Sequence, residues 1–345
     1  MYYYFLMEIN KKYRKKKKKI KLIHKPKIPK FKNRIKGANK SKKANKFLSK
    51  KNKLFFFFFL FLLFIITISY KFVLKRKAYD EFKPHKVFIE AHRGVHYKAY
   101  PNTKESILLA IKYGLDSFET DVWLSSDKVL VLVHGGFMGD ISSSYNAHYK
   151  VINTNWDKLS KVRTRRGNFS MPRLDEIMEL TKNKIFMTLE IKDPRCDLVF
   201  PEIIKLIVKY DYFEQIALSS FNHNYSNKVL EFNNNNKYGK KIVFGFLGGI
   251  GFNVHNFNFN KRRNSLNALW LKISKNVCKK AHVNGMAVYV WLYLGVKETY
   301  DLYKKLFDCG IDILCSNQPI KAKIFRFFYY RKRKIPKKIM KKYFS

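Results

Sequence analysis

Polar side chains that could do chemistry stand at or near the carboxyl ends of several apolar runs in the sequence. They are His92, Arg93, Glu119, Asp121, His134, Glu190 and Lys192. In a barrel of parallel strands, the carboxyl ends of the strands form one mouth, and catalytic side chains gather there. We therefore expect these residues to meet at a single site.

Three of these residues are carboxylates with the chemistry of a metal site. Glu119 and Asp121 are two residues apart on a predicted strand, so both side chains leave the same face. With Glu190 they offer only oxygen ligands, which Mg²⁺ and Ca²⁺ prefer. No Cys or His has the spacing of a zinc site. The pattern predicts one divalent cation, Mg²⁺ or Ca²⁺.

The remaining residues suit the cleavage of a phosphodiester. Arg93 can clamp two phosphate oxygens, and Lys192 can add a point charge. The pKa of an unperturbed histidine lies near neutrality, so His92 and His134 can exchange protons with the nucleophile and the leaving oxygen. The sequence leaves open which histidine is the acid and which is the base.

Short apolar runs alternate with helical segments from Val87 onward, which is typical of a parallel sheet with crossover helices. Eight such runs are present. They are Val87–His92, Ser117–Leu124, Lys128–His134, Lys184–Ile191, Gln215–Phe221, Lys241–Leu247, Met286–Leu292 and Ile311–Ser316. Eight strand–helix units predict an α/β fold, a (β/α)8 TIM barrel over residues 85–320.

The amino-terminal part predicts a membrane anchor. Residues 1–53 hold 22 Lys and Arg with one acid, and we expect them to be a disordered cytoplasmic tail. The run Leu54–Tyr70 has seventeen residues without a charge, about 25 Å of helix, and Lys71 can snorkel to lengthen it. We expect a single transmembrane signal anchor over residues 54–74.

The basic block before this run makes its amino-terminal side cytoplasmic, which places the barrel in a lumen or outside the cell. A cleavable signal peptide is the main alternative, but its charged leader would be far shorter, and no small-residue cleavage site follows the run. A buried core helix is a weaker alternative, because core helices are seldom apolar on every face. Two glycosylation sequons begin at Asn168 and Asn224 and bear on this topology.

The carboxyl-terminal segment 321–345 has 11 Lys and Arg, no acid and many aromatic residues. It is either a solvated end or a tail that adheres to anionic lipid near the anchor. The formal net charge of +46 lies mostly in the two ends, and no nucleic-acid motif organises the rest. We therefore expect membrane lipids, and no nucleic acid, as partners.

An ordered series of motifs resembles the glycerophosphodiester phosphodiesterase family. The stretch AHRGVHYKAYPNTKESILLAIKYGLDSFETDVWLSSDKVLVLVHGG resembles its opening block, in which an HRG is followed by a PENT-like turn, an E-x-D strand and a V-x-x-H-D strand. Later segments agree, namely MPRLDEIMEL, FMTLEIK, LSSF, GMAVYVWLY and GIDILCSNQP. The resemblance covers about Val87 to Pro319.

The resemblance implies hydrolysis of a glycerophosphodiester or a lysophospholipid. It implies these roles: His92 and His134 as acid and base, Glu119, Asp121 and Glu190 as metal ligands, Arg93 and Lys192 as phosphate contacts, and Trp291 as a substrate-facing residue. A core aromatic is the alternative for Trp291. The anchor favours the lipid substrate, because a tethered site meets membrane substrates at high effective concentration.

Three departures from the family pattern concern the surroundings of the site. Pro101 stands where PENT has its glutamate, Gly135 stands where an Asp commonly follows the histidine, and Asn317 replaces the Asp of the closing segment. A related phosphodiester-cleaving barrel, of the phosphoinositide-specific phospholipase C or sphingomyelinase D type, is one alternative. A catalytically weak or inactive membrane-tethered barrel that binds phospholipid is another.

Overall fold

The computed structural model describes residues 57–67, 86–222, 224–235, 237–254 and 265–344. The expected cytoplasmic tail 1–53 lies outside these residues. So do residues 54–56 and 68–74 of the expected anchor. The orientation of the chain in a membrane therefore stays a prediction.

The described part of the expected anchor is helix α1, residues 57–67, and every residue in it is exposed. Within the described ranges, no helix combines the length and the apolar character needed to cross a membrane.

Nine strands form one sheet, and eight of them close into a parallel barrel. The strands are β1 Phe88–Ala91, β2 Ser117–Leu124, β3 Leu130–Leu132, β4 Phe186–Ile191, β5 Ile216–Ser220, β6 Val243–Gly248, β7 Ser265–Leu269, β8 Ala287–Trp291 and β9 Ile313–Ser316. The ring closes because β1 pairs in parallel with both β9 and β2. The eight-stranded parallel barrel predicted from the sequence is confirmed.

One of the predicted barrel strands was wrong. The run Lys128–His134 contains β3, which pairs antiparallel with β2 and is not a member of the ring. The missing barrel strand is β7, which the apolar pattern did not reveal. Its inward residues are polar, since the hydroxyl of Ser265 donates to Asn267 Oδ1 at 2.7 Å, and both side chains are buried. Because polar residues occupy inward positions, the apolar residues of β7 that pack against the helices are Leu266 and Ala268, too few to form an apolar run in the sequence.

The helices after α1 surround the barrel. They are α2 Lys104–Lys112, α3 Trp156–Leu159, α4 Leu174–Thr181, α5 Cys196–Lys209, α6 Asn224–Asn235, α7 Lys275–Val283, α8 Tyr300–Cys309, α9 Pro319–Tyr330 and α10 Lys337–Phe344. Their apolar faces and the outward faces of the strands form the main core. A smaller cluster under the insertion between β3 and α4 packs around Trp123 and Tyr145.

Helix α9 packs against the start of β1. The domain boundary expected at residue 320 falls inside this helix. Phe325 is buried in the core. The buried Arg326 guanidinium donates to Val87 O at 2.8 Å and pairs with the Asp116 carboxylate. The same carboxylate accepts from Ile89 N at 2.8 Å, which ties the entry of β1 to that of β2. The basic segment from residue 321 therefore begins as part of the packed fold.

The barrel interior is divided into an apolar half and a polar half. Apolar side chains fill the amino-terminal half, namely Phe186, Ala217, Val243, Ala287, Tyr289, Ile313 and Cys315. The inward residues nearer the carboxyl ends of β2 and β4 are Glu119, Asp121 and Glu190. The register sets Asp121 directly beside Glu190. The fold thereby brings the charged residues to one end.

Candidate active site

Three buried carboxylates converge at the carboxyl end of the barrel. Glu119 and Asp121 leave the same face of β2, and Glu190 comes from the neighbouring strand β4. One carboxylate oxygen from each lies within 4.8 Å of the other two. Like charges at this separation repel strongly unless cations compensate for them.

Two cations provide this compensation. Arg93 Nε lies 3.1 Å from Asp121 Oδ2, and Lys192 Nζ lies 3.4 Å from Asp121 Oδ1. Lys192 also pairs with Glu190. Burial alone would raise the pKa of Asp121, but Arg93 and Lys192 more than offset it and hold that pKa below its usual range. Asp121 is therefore ionised at neutral pH.

The pKa of Glu119 shifts in the opposite direction. It is raised by burial and by the negative charges of Asp121 and Glu190. Its Oε2 accepts the backbone N–H of Arg93 at 2.9 Å. Within the described part of the chain, its other oxygen, Oε1, accepts no hydrogen bond although it is buried.

An asparagine from the loop before α2 orients Asp121. Asn102 Nδ2 donates to Asp121 Oδ2 at 2.9 Å, while its Oδ1 accepts from Asp121 N at 3.1 Å and from Thr120 Oγ1 at 2.7 Å. Asn102 has φ 58°, a left-handed conformation that asparagine tolerates better than most residues. This asparagine was missed as a functional residue, although its place in the PENT-like turn was a usable signal.

The donor set fits a divalent cation. Asp121 Oδ1 resembles Glu119 Oε1, since it too is buried and accepts no hydrogen bond from any described residue. Buried carboxylate oxygens without hydrogen bonds are costly, and a hard cation that takes oxygen ligands would satisfy them. Glu119, Asp121 and Glu190 are the residues that would hold it.

The two histidines stand on different segments around this cluster. His92 follows β1 and is buried, with Nε2 3.9 Å from Glu119 Oε2 and Nδ1 2.6 Å from Asn317 Oδ1. His134 follows β3 and is exposed at the mouth.

Burial, with the nearby Arg93 charge, lowers the pKa of His92 to about 3. Partial desolvation of its ring at the cavity, with the charges of Arg93 and Lys192, lowers the pKa of His134 to about 4 against the opposing charge of Asp121. Both rings are therefore neutral at pH 7.

The glycine after His134 has a structural cause. Gly135 has φ 61°, and a Cβ there would lie 3.0 Å from Trp123 Nε1. That indole nitrogen donates to His134 O at 3.0 Å, which fixes the backbone of the histidine. Any side chain at this position would need Trp123 and Gly139 to shift by a few tenths of an ångström and would be strained by the positive φ, so glycine suits this position.

A cavity of about 630 Å³ opens above these groups. Seven of the predicted site residues line it: His92, Arg93, Glu119, His134, Glu190, Lys192 and Trp291. Asp121 contacts two of the seven, so the fold brings all eight together. Pro101 also lines the cavity, which makes the wall apolar where a PENT turn would place a carboxylate.

Trp291 ends β8 and forms part of the aromatic wall. Its ring meets that of Phe221 edge to face, with centroids 6.0 Å apart. Lys192 Nζ lies 5.6 Å from the centre of the Phe221 ring, between the wall and the carboxylates. The Trp291 Nε1–H is buried and has no acceptor among the described residues.

A TIM barrel with this set of carboxylates, cations and histidines at its mouth defines a phosphoric diester hydrolase. Residues 92–321 match the model of the glycerophosphoryl diester phosphodiesterase family. The chain belongs to this family, whose members hydrolyse glycerophosphodiesters.

Individual relatives agree with the family match. A glycerophosphodiester phosphodiesterase of Caldanaerobacter subterraneus subsp. tengcongensis is 25% identical over 247 residues, which are 68% of this chain and 95% of the relative. Solved structures show the same fold. An Oleispira antarctica phosphodiesterase in complex with the product sn-glycerol-3-phosphate has a TM-score of 0.60 at 19% identity, covering 70% of this chain and 96% of its own. A glycerophosphodiester phosphodiesterase from Thermotoga maritima has a TM-score of 0.55 at 19% identity, covering 68% and 96%.

The orientation of Asp121 by Asn102 generates a prediction for cation binding. We expect Asn102→Ala to weaken Mn²⁺ binding by about 10- to 100-fold, because loss of an outer hydrogen-bond partner frees a ligating carboxylate. Isothermal titration of the purified chain measures this affinity. Asn155→Ala, at an exposed position before α3, is the matched control and should bind as wild type does. Equal affinities for Asn102→Ala and the control would contradict the role of Asn102.

Proposed function

We propose that this chain hydrolyses glycerophosphodiesters and lysophospholipids in a reaction that depends on one divalent cation, Mg²⁺ or Ca²⁺. A glycerophosphodiester would give an alcohol and glycerol 3-phosphate, and a lysophospholipid would give its headgroup alcohol and lysophosphatidate. The observation that carries the proposal is the buried carboxylate cluster, whose oxygens Glu119 Oε1 and Asp121 Oδ1 accept no hydrogen bond from the described residues, set between two cations and two histidines.

Three groups of site residues have separate roles in hydrolysis. Arg93 and Lys192 bind the anionic phosphate oxygens. Stabilising this negative charge in the transition state is usually the largest single contribution to catalysis. His92 and His134 line the same cavity and move the two protons. A cation bound by Glu119, Asp121 and Glu190 would neutralise further charge on the phosphate and polarise the phosphorus.

The glycerol 3-phosphate product is supported by a relative of the same fold. The Oleispira antarctica phosphodiesterase is described in complex with sn-glycerol-3-phosphate. The cavity here has room for such a molecule and adds an aromatic wall that includes Phe221 and Trp291. The wall favours a substrate with an apolar part beyond the phosphate.

Exposed apolar residues around the mouth support a lipid substrate. Phe137 is 82% exposed, Ile250 74% and Leu294 48%. Leu294 lines the cavity, Phe137 lines a neighbouring hollow together with His134 and Lys192, and Ile250 follows the barrel strand β6. Apolar side chains at such a rim can contact the acyl chain of a lysophospholipid or the membrane that holds it.

The direct test is choline release by the full-length chain in detergent micelles. The substrates are glycerophosphocholine and lysophosphatidylcholine, each with Mg²⁺, Ca²⁺ or EDTA. We expect release that requires the cation and that falls at least about 100-fold in His92→Ala, because proton transfer contributes this much or more. His148→Ala removes an exposed histidine of the insertion and serves as the control, with unchanged activity expected.

Other outcomes would change the assignment in defined ways. A folded enzyme that releases no choline from either substrate would favour the inactive phospholipid-binding barrel. A cyclic phosphate product would favour the phospholipase C or sphingomyelinase D type of reaction. Cation-independent release would contradict the metal site.

We also propose that the chain is a single-pass membrane protein with a cytoplasmic amino terminus and a lumenal or extracellular barrel. The charge distribution around residues 54–74 supports this orientation. Membrane lipids are the expected partners of the anchor and the basic ends. The exposed lysines of α10 support a lipid contact at the carboxyl terminus.

Glycosylation tests this orientation. Asn168 and Asn224 are both exposed, so a lumenal barrel should be modified at one or both sequons. We expect translation into eukaryotic microsomes to give a product that an endoglycosidase shifts to lower mass. The double variant Asn168→Gln/Asn224→Gln should run at the lower mass without treatment. An unmodified wild-type product would contradict a lumenal barrel.

A further inference from the structure

Asn317 follows β9 and makes the closest polar contact of His92. Its Oδ1 lies 2.6 Å from His92 Nδ1, and both side chains are buried. Its Nδ2 donates to Leu292 O at 3.2 Å and to Tyr293 O at 3.1 Å. Carbonyl oxygens only accept, so they require the amide nitrogen on their side and turn the amide oxygen toward His92.

A buried glutamate holds the backbone that carries this amide. Glu298 Oε1 accepts from Asn317 N at 2.7 Å. Glu298 Oε2 accepts from Tyr303 OH at 2.5 Å and also from the hydroxyl of Ser316. The Asn317 side chain is thus fixed from both ends, and its oxygen cannot turn away from the histidine without breaking several hydrogen bonds.

The fixed amide decides which ring nitrogen of neutral His92 carries the proton. A neutral imidazole has one donor nitrogen and one acceptor nitrogen. Since Asn317 Oδ1 can only accept, Nδ1 must be the donor. The lone pair therefore belongs to Nε2, which lies on the side of the carboxylate cluster, 3.9 Å from Glu119 Oε2.

We propose that Asn317 is a positioning residue that holds His92 as the Nδ1–H tautomer and thereby makes His92 the proton acceptor of the reaction. This rests on the proposed hydrolysis. As the attacking oxygen bonds to phosphorus, its proton passes to the lone pair of His92 Nε2. As the bond between phosphorus and the leaving oxygen breaks, that oxygen takes a proton from the imidazolium form of His134, which the negative charge of the bound phosphodiester stabilises, and the His134 ring is left neutral.

Asn317, which stands where the family pattern has an aspartate, differs from that aspartate in charge and in hydrogen bonding. An aspartate at position 317 would accept the same hydrogen bond and add a negative charge beside the imidazole. Asparagine keeps the orientation and the tautomer without this charge. Two further donations, to Leu292 O and Tyr293 O, use the amide nitrogen that an aspartate lacks.

The test reads the tautomer directly, without requiring turnover. The full-length chain is labelled with ¹⁵N in its histidine rings, and the His92 signals are identified by their loss in His92→Ala. We expect wild-type His92 to be protonated at Nδ1 and bare at Nε2. Asn317→Asp keeps the acceptor, so Nδ1 should stay protonated in that variant.

Removal of the acceptor should release the ring. In Asn317→Ala we expect the Nε2–H tautomer to appear, with kcat for choline release lowered about 100-fold and KM changed less than about threefold. Asn267→Ala removes another buried asparagine of the barrel interior, one whose side chain accepts from Ser265 and not from His92, and it should leave both the nitrogen signals and kcat unchanged.

Two results would overturn the proposal. One is a wild-type His92 that carries its proton on Nε2. The other is an Asn317→Ala variant whose His92 signals and kcat equal those of wild type. If that variant does not fold, the wild-type and Asn317→Asp spectra decide. If the wild type folds but hydrolyses no substrate, the proposed function fails while the nitrogen signals still decide the tautomer.

Discussion

The buried negative charge of Asp121 is the constraint on which the rest of the site depends. A carboxylate with no exposed surface is costly unless cations and hydrogen-bond donors surround it. Here Arg93, Lys192 and Asn102 surround it, and each comes from a different segment of the chain. The compensation therefore holds the ends of β1, β2 and β4 together and sets the positions of the groups proposed to bind phosphate.

The apolar half of the barrel supports this charged end. Buried polar side chains also lie inside it, among them Glu90, whose carboxylate accepts from Thr188 Oγ1 at 2.6 Å and from Tyr289 OH. Burial raises the pKa of Glu90, which favours its neutral form and limits repulsion of the carboxylates nearer the mouth. The Tyr289 side chain also lines the cavity, so it connects the packed interior with the site.

Local patterns predicted much of this arrangement, and long-range contacts account for what they missed. Alternating runs predicted the barrel, residue types at the strand ends predicted seven of the eight residues that the fold brings together, and the family resemblance added Trp291. The strand β7 was missed because Ser265 and Asn267 interrupt its apolar pattern. Asn102 and Asn317 were not assigned as partners because they act on residues 19 and 225 positions away. Such contacts depend on barrel closure, which no local pattern contains.

The central claim is that the three carboxylates hold the cation beside which phosphate binds. The most direct measurement is a crystal structure of the enzyme with Mn²⁺ and sn-glycerol 3-phosphate, with the ion located by its anomalous scattering. The account predicts one ion bound by Glu119, Asp121 and Glu190, with Arg93 and Lys192 on the phosphate. An ion held by other residues, or a phosphate away from these two cations in an active enzyme, would contradict it.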